Sequence, residues 1–132
     1  MKKTPLLHTA LSRLIASLGH GDMVLIADAG MPAPRNANVE IIDLALTPGV
    51  PSIDLVLSTV LTEMQAESYV IATETVARAD GWLTRLETAL PIDRRTLSHA
   101  ELKTLSGQAR AFIRTGECTP YANVMLVAGV TF

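Results

Sequence analysis

Cysteine is almost missing from these 132 residues: Cys118 stands alone, which rules out an internal disulfide and fits a reducing compartment. Long apolar runs are missing as well. The leucines that follow Met1-Lys2-Lys3 are interrupted by His8, Ser12 and Arg13 before they reach the length of a signal peptide, so a cytoplasmic protein with no membrane contact is expected. Charge of one sign is scarce: the net charge is -2, and the 11 Lys and Arg residues are scattered apart from Lys2-Lys3 and Arg94-Arg95. Nothing here marks a nucleic-acid partner. No P-loop, no Gly-x-Ser-x-Gly elbow, no His-Glu-x-x-His and no Cys-x-x-Cys occurs, which weakens nucleotide-dependent, serine-hydrolase and metal-hydrolase readings. Aromatic residues make up only 4% of the chain.

What is present is aliphatic. Hydrophobic residues reach 48% and the mean hydropathy is +0.31, high for a chain without a membrane span. Much of that surplus must be buried, and self-association into a homo-oligomer would bury more. The length suits one domain, residues 1–132, able to form a core unaided.

Apolar positions Leu7, Leu11, Leu14, Ile15 and Leu18 keep helical spacing, and Gly19 reads as a left-handed stop. Met23 to Ala27 is a buried strand ending in Asp28, followed by a Pro- and Asn-rich loop from Gly30 to Asn38. Ile41 to Leu46 reads as a second strand. Ser52 can then cap a helix running to about Gln65, with Leu55, Val56, Val60 and Met64 on its inner face. Tyr69 to Ala72 suggests a strand, Val76 to Ala89 one helical stretch closed by Pro91, and Ser98-His99-Ala100-Glu101 a capping box that makes His99 the first residue of its helix. Ala111 to Arg114 and Asn123 to Phe132 read as closing strands. The alternation predicts an α/β sandwich with a largely parallel sheet.

Two features suggest a site. His20 lies between glycines in Gly19-His20-Gly21-Asp22 at an element end, and Asp28 closes the next strand, which reads as placing the carboxylate beside the imidazole. Read blandly, such a histidine meets helix-terminal carbonyls and such an aspartate forms a turn. His8 is expected to be exposed and incidental, Cys118 a packed thiol rather than a nucleophile, and Trp82 a packing residue. No spacing among His8, His20 and His99 supports a metal site.

Longer blocks narrow the reading. Leu11-Ser12 with Leu18-Gly19-His20, Asp28-Ala29-Gly30 followed by Pro32, Asp43-Leu44-Ala45-Leu46-Thr47-Pro48-Gly49-Val50-Pro51-Ser52, and Ile113-Arg114-Thr115-Gly116-Glu117-Cys118-Thr119-Pro120-Tyr121-Ala122-Asn123 closely resemble the D-ribose pyranase (RbsD) family. The resemblance extends to Val130-Thr131-Phe132 and thins between Ala72 and Ser98. The related L-fucose mutarotases resemble the chain at Gly19-His20-Gly21-Asp22 and around Thr115-Gly116-Glu117 but lack the Thr47 to Ser52 block, which favours ribose.

The resemblance implies a single-domain three-layer sandwich that interconverts the β-pyran and β-furan forms of D-ribose without cofactor or metal. It implies His20 as proton donor and Asp28, His99, Tyr121 and Asn123 as sugar contacts. It further implies a decamer of two pentameric rings, with Tyr121 and Asn123 reaching a neighbour's site. The chemistry suits these residue types, because opening a cyclic hemiacetal takes a proton from the anomeric hydroxyl and delivers one to the ring oxygen. On a helix's first turn His99 should stay neutral. Tyr121 and Asn123, two apart, should point from one face of an extended segment. An L-fucose-type mutarotase and a noncatalytic sugar-binding module remain alternatives.

Overall fold

A computed structural model describes residues 1–132. The elements run α1 (Thr9–Ser17), β1 (Met23–Ala27), β2 (Glu40–Asp43), α2 (Ile53–Leu61), β3 (Ala66–Ala72), α3 (Thr73–Arg78), α4 (Asp80–Ala89), β4 (Asp93–Leu97), α5 (His99–Ser106), β5 (Ala111–Arg114) and β6 (Val124–Ala128). The strands form one six-stranded sheet in the order β2-β5-β1-β6-β3-β4. β5 is parallel to β1 and β2, β4 is parallel to β3, and β6 is antiparallel to both β1 and β3. Five strands therefore run one way and β6 alone runs back.

Alternation along the strands divides the core in two. Val24 and Ile26 of β1, Tyr69 and Ile71 of β3, Ile113 of β5 and Leu126 of β6 face the larger cluster, which α1, α2 and α4 cover with Leu11, Leu14, Ile53, Leu57, Trp82 and Leu86. Leu25, Val70, Phe112 and Met125 face the smaller one, under Leu102 of α5, Met31 and Val39. Helices thus pack on both faces of the sheet, giving the three layers. No helix is long and apolar enough to cross a membrane.

The local signals succeed where side chains themselves make the structure. Ser52 caps α2 by accepting from Leu55 N at 3.2 Å, a bond of the kind that contributes about 1 kcal/mol. Both halves of the Ser98–Glu101 capping box form, with His99 opening α5. Trp82 is 2% exposed and packs in the core.

Other expectations are corrected. Leu18 ends α1 in an extended conformation, and the left-handed turn falls at Gly21 (φ 81°) rather than Gly19. On α2 the inner face is Ile53, Val56, Leu57 and Val60, whereas Leu55 is 58% exposed. The stretch from Val76 to Ala89 is two helices, α3 and α4, joined at Ala79, whose non-helical backbone redirects the chain. β4 escapes the periodicity reading because Asp93-Arg94-Arg95-Thr96 is polar and exposed: an edge strand needs no apolar alternation. His8 is exposed but not incidental, since its Nδ1 caps α1 by accepting from Leu11 N. Cys118 is exposed rather than packed.

Candidate active site

Because five strands run in parallel, the segments that leave their carboxyl ends gather on one edge of the sheet, the edge where open α/β sheets place ligands. Asp28 follows β1, α3 follows β3, Ser98 and His99 follow β4, and Thr115 to Tyr121 follow β5. β6 runs the opposite way, so Asn123, which precedes it, arrives at the same edge.

These segments enclose a cavity of about 420 Å³ lined by Asp28, Met31, His99, Lys103, Glu117 and Tyr121, among others. Asp28 is 9% exposed and tightly held. Its Oδ1 accepts from Gly30 N at 2.9 Å, its Oδ2 accepts from Asn123 Nδ2 at 2.9 Å, and its own N–H donates to Asn123 Oδ1 at 2.9 Å. Asn123 is fully buried, and both ends of its amide are spent on Asp28. Ala29 is fixed from both sides, its N–H donating to Glu117 O at 2.8 Å and its carbonyl accepting from Arg114 Nε at 3.0 Å.

His99 lies across the cavity. Its backbone N–H donates to Glu74 Oε2 at 2.8 Å, and its Nδ1 is buried without a partner. Burial holds the imidazole below its ordinary value, helped by the positive charge of Lys103, while Glu74 and Asp28 act in the opposite direction. The neutral form anticipated from helix position is thus favoured, with desolvation as the leading cause. The Tyr121 ring meets His99 edge to face, with centroids 5.1 Å apart and planes at 87°. Tyr121 does not lie on an extended segment: its φ of 63° is left-handed, and it and Asn123 point to different places, one into the cavity and the other under Asp28.

His20 is elsewhere. It precedes β1 while Asp28 follows it, so the strand holds them at opposite edges of the sheet, about 16 Å apart at a strand rise of ~3.3 Å per residue. The expected pairing of His20 beside Asp28 within one chain is therefore corrected: Asp28 stands with Tyr121 and Asn123 of its own chain, and His20 stands apart from all three.

Around His20 a second cavity of about 470 Å³ is lined by Leu18, Glu63, Gln65, Gly129 and Phe132, among others. His20 Nε2 lies 2.8 Å from Glu67 Oε2. Glu67 falls where the β3–β6 register shifts, between the pairs Ala66–Ala128 and Ser68–Val127, and such a bulge re-aims the extra residue. The His20 turn is pinned to β6 by Gly21 N to Ala128 O and Ala128 N to Asp22 O, both 2.8 Å. Asp22 Oδ2 closes it by accepting from Gly19 N at 2.8 Å and from Arg110 at 2.7 Å.

The two most distinctive blocks of the sequence pack on each other. Gly49 N donates to Gly116 O at 2.6 Å and Gly116 N to Pro51 O at 2.9 Å, and a Cβ on Gly116 would collide with the Val50 backbone. Their composition therefore reflects backbone-to-backbone contact beneath the cavity loops. Glu117 shares in this, accepting from Ile53 N and from Thr119; although burial opposes ionisation, these hydrogen bonds hold its carboxyl below the usual range.

Lys103, Glu117, Glu67 and the α3 residues Glu74, Thr75 and Arg78 escaped the sequence reading. Only Lys103 carried a signal, lying four residues after His99 on a helix and so on the same face. No three His, Cys, Asp or Glu side chains cluster closely enough to hold a metal ion. The Asp28–His99–Tyr121 cavity offers a fixed carboxylate, a neutral imidazole and a phenol, a set suited to the hydroxyls of a small polyol.

Comparison with known proteins gives full-length matches. The model of the RbsD / FucU transport protein family matches residues 1–131. A D-ribose pyranase of Paracidovorax citrulli is 58% identical over 132 residues, covering 100% of both chains. The structure of Bacillus subtilis RbsD complexed with D-ribose superposes with a TM-score of 0.94 at 42% identity, covering 100% of both chains. The fucose mutarotase of Streptococcus pneumoniae in complex with L-fucose shares the fold at a TM-score of 0.80 and 22% identity, again covering 100% of both chains.

Proposed function

The chain belongs to the RbsD / FucU family, and from that premise we propose that it is a D-ribose pyranase, an isomerase that binds D-ribose and interconverts its β-pyran and β-furan forms. The observation that carries this reading is the convergence of Asp28, His99 and Tyr121 on one cavity at the carboxyl edge of the sheet, in a chain alike over its full length to D-ribose pyranases.

Ring opening removes the proton of the anomeric hydroxyl as the bond from the anomeric carbon to the ring oxygen breaks. The electron pair goes to the ring oxygen, which takes a proton. The free aldehyde rotates, and a different hydroxyl closes the new ring. Asp28 accepts hydroxyl hydrogens, and neutral His99 and Tyr121 offer a donor and an acceptor each. Asn123 works from behind, where its amide keeps the Asp28 carboxylate aimed.

His20 is the proton-transfer residue in this reading, with Glu67 as its hydrogen-bonded partner. Since β1 separates His20 from Asp28, a site using both takes His20 from a second copy of the chain. Self-association has apolar surface to draw on: Leu46, Leu7 and Leu55 are 81%, 68% and 58% exposed. The assembly we propose is a decamer of two pentameric rings of one-domain subunits, located in the cytoplasm.

Nuclear magnetic resonance exchange spectroscopy on D-ribose tests the proposal, with L-fucose run beside it. The protein should accelerate pyranose to furanose exchange, and His20→Ala should abolish the acceleration. Saturable ribose binding at an unchanged exchange rate would make the chain a sugar-binding module instead, and acceleration confined to L-fucose would move it to the mutarotases.

A further inference from the structure

Tyr121 is the only residue other than glycine with a positive φ. A residue bearing a side chain stays in that region only where its surroundings hold it there. Its carbonyl accepts from Asn123 N at 2.9 Å and from Thr75 Oγ1 at 2.7 Å. Thr75 is fully buried, so its hydroxyl has no water to turn to and the bond to Tyr121 satisfies it.

The neighbours of Thr75 on α3 reach the same cavity walls. Glu74 Oε2 accepts from His99 N at 2.8 Å, and the Arg78 guanidinium carbon lies 5.7 Å from the centre of the Tyr121 ring. One short helix therefore grips His99 through Glu74, and Tyr121 through Thr75 and Arg78. Those two side chains are the ones that meet edge to face across the cavity.

We propose that α3 sets the spacing of His99 and Tyr121, and that Thr75 is a positioning residue for the isomerase, acting through the Tyr121 backbone without touching the sugar. The inference rests on the reading of this cavity as the sugar site. The chemistry is specific to the hydroxyl. Valine has nearly the shape of threonine but no donor, so Thr75→Val leaves the Tyr121 carbonyl one bond short and frees the residue to relax toward negative φ, carrying its ring away from His99. Serine keeps the donor and loses only a methyl group.

The two substitutions separate positioning from packing when made in the full chain and compared with the unsubstituted protein. In the sugar-free protein, the His99 ring protons carry a shift from the Tyr121 ring current, and Thr75→Val should move them toward their positions in Tyr121→Ala. With ribose, Thr75→Val should raise KM roughly five- to tenfold with kcat changed less than about twofold, the pattern of a lost contribution to binding. Thr75→Ser should keep KM and the His99 shifts near those of the parent protein even if its melting temperature falls. The proposal is overturned if Thr75→Val retains the parent shifts and KM, or if the serine and valine variants lose KM together in step with stability. Should the parent protein fail to accelerate ribose exchange, the functional reading falls, while the His99 shifts still decide whether α3 braces the cavity.

Discussion

If β1 keeps His20 and Asp28 at opposite edges of the sheet, two inactive variants should restore each other when their subunits mix. His20→Ala removes the imidazole from one edge and Asp28→Ala the carboxylate from the other. In a randomly mixed one-to-one assembly, a site takes His20 from one copy and Asp28 from another, and each copy has an even chance of being the right one. Both residues are then intact in about a quarter of the sites of a symmetric assembly. The pair should therefore recover about a quarter of the parent exchange rate per subunit, and parent subunits mixed with the double variant should give the same about-a-quarter value, because each site again needs two intact copies. Were both residues to act from one chain, the first mixture would stay dead and the second would keep about half. Coexpression of the two variants, followed by exchange spectroscopy on ribose, measures this directly. A dead first mixture beside a half-active second would refute the placement of His20 and Asp28 in a shared site.

Asn123→Ala removes two hydrogen bonds to Asp28, one of them to its carboxylate, and leaves an amide unpaired beneath a nearly buried residue. At about 1 kcal/mol for the neutral bond and about 2 for the charged one, the loss is about 3 kcal/mol, on the order of a 10 °C drop in melting temperature for a domain of this size. A calorimetric midpoint within a degree or two of the parent would contradict that arrangement. For His99, burial and then Lys103 depress the imidazole from its ordinary 6.5, so the unfolded chain takes up this proton at higher pH than the folded one. The stability His99 contributes is accordingly present in full above the unfolded value and is lost as the pH falls from there through the folded value, whereas ribose affinity, which involves folded protein alone, should weaken only as the pH falls through the folded value. Lys103→Met, which removes a positive neighbour, should raise the His99 titration seen by nuclear magnetic resonance; a titration that stays put or drops would show that Lys103 does not act on the ring.

Much of the site was legible because it is written in local or unusual residue patterns. The Ser98–Glu101 capping box placed His99 at the start of α5 from four adjacent residues. The run from Met23 to Ala27 placed Asp28 at a strand end, and the blocks around Thr47 to Ser52 and Thr115 to Asn123 pointed to the sugar. Those blocks are distinctive because two stretches of backbone lie against each other, Gly116 bonding Gly49 and Pro51 so close to Val50 that only a glycine leaves room at position 116.

What stayed hidden depends on strands far apart in sequence. β4 has an exposed, polar sequence and is a strand only because β3 pairs with it. Glu67 meets His20 because a register shift between β3 and β6 turns it there, and no property of residues 65 to 69 announces that shift. α3 grips His99 and Tyr121 across separations of 25 and 46 residues.

The sequence by itself determined the strand end that carries Asp28, the caps that start α2 and α5, and the sugar family, because these depend on side-chain type and short spacing. Only the tertiary structure decided how they are shared out. The reversed direction of β6 brings Asn123 to Asp28, and the length of β1 sends His20 to the opposite edge. Strand direction and register are set by pairing across the whole sheet, and no local run of residues encodes them.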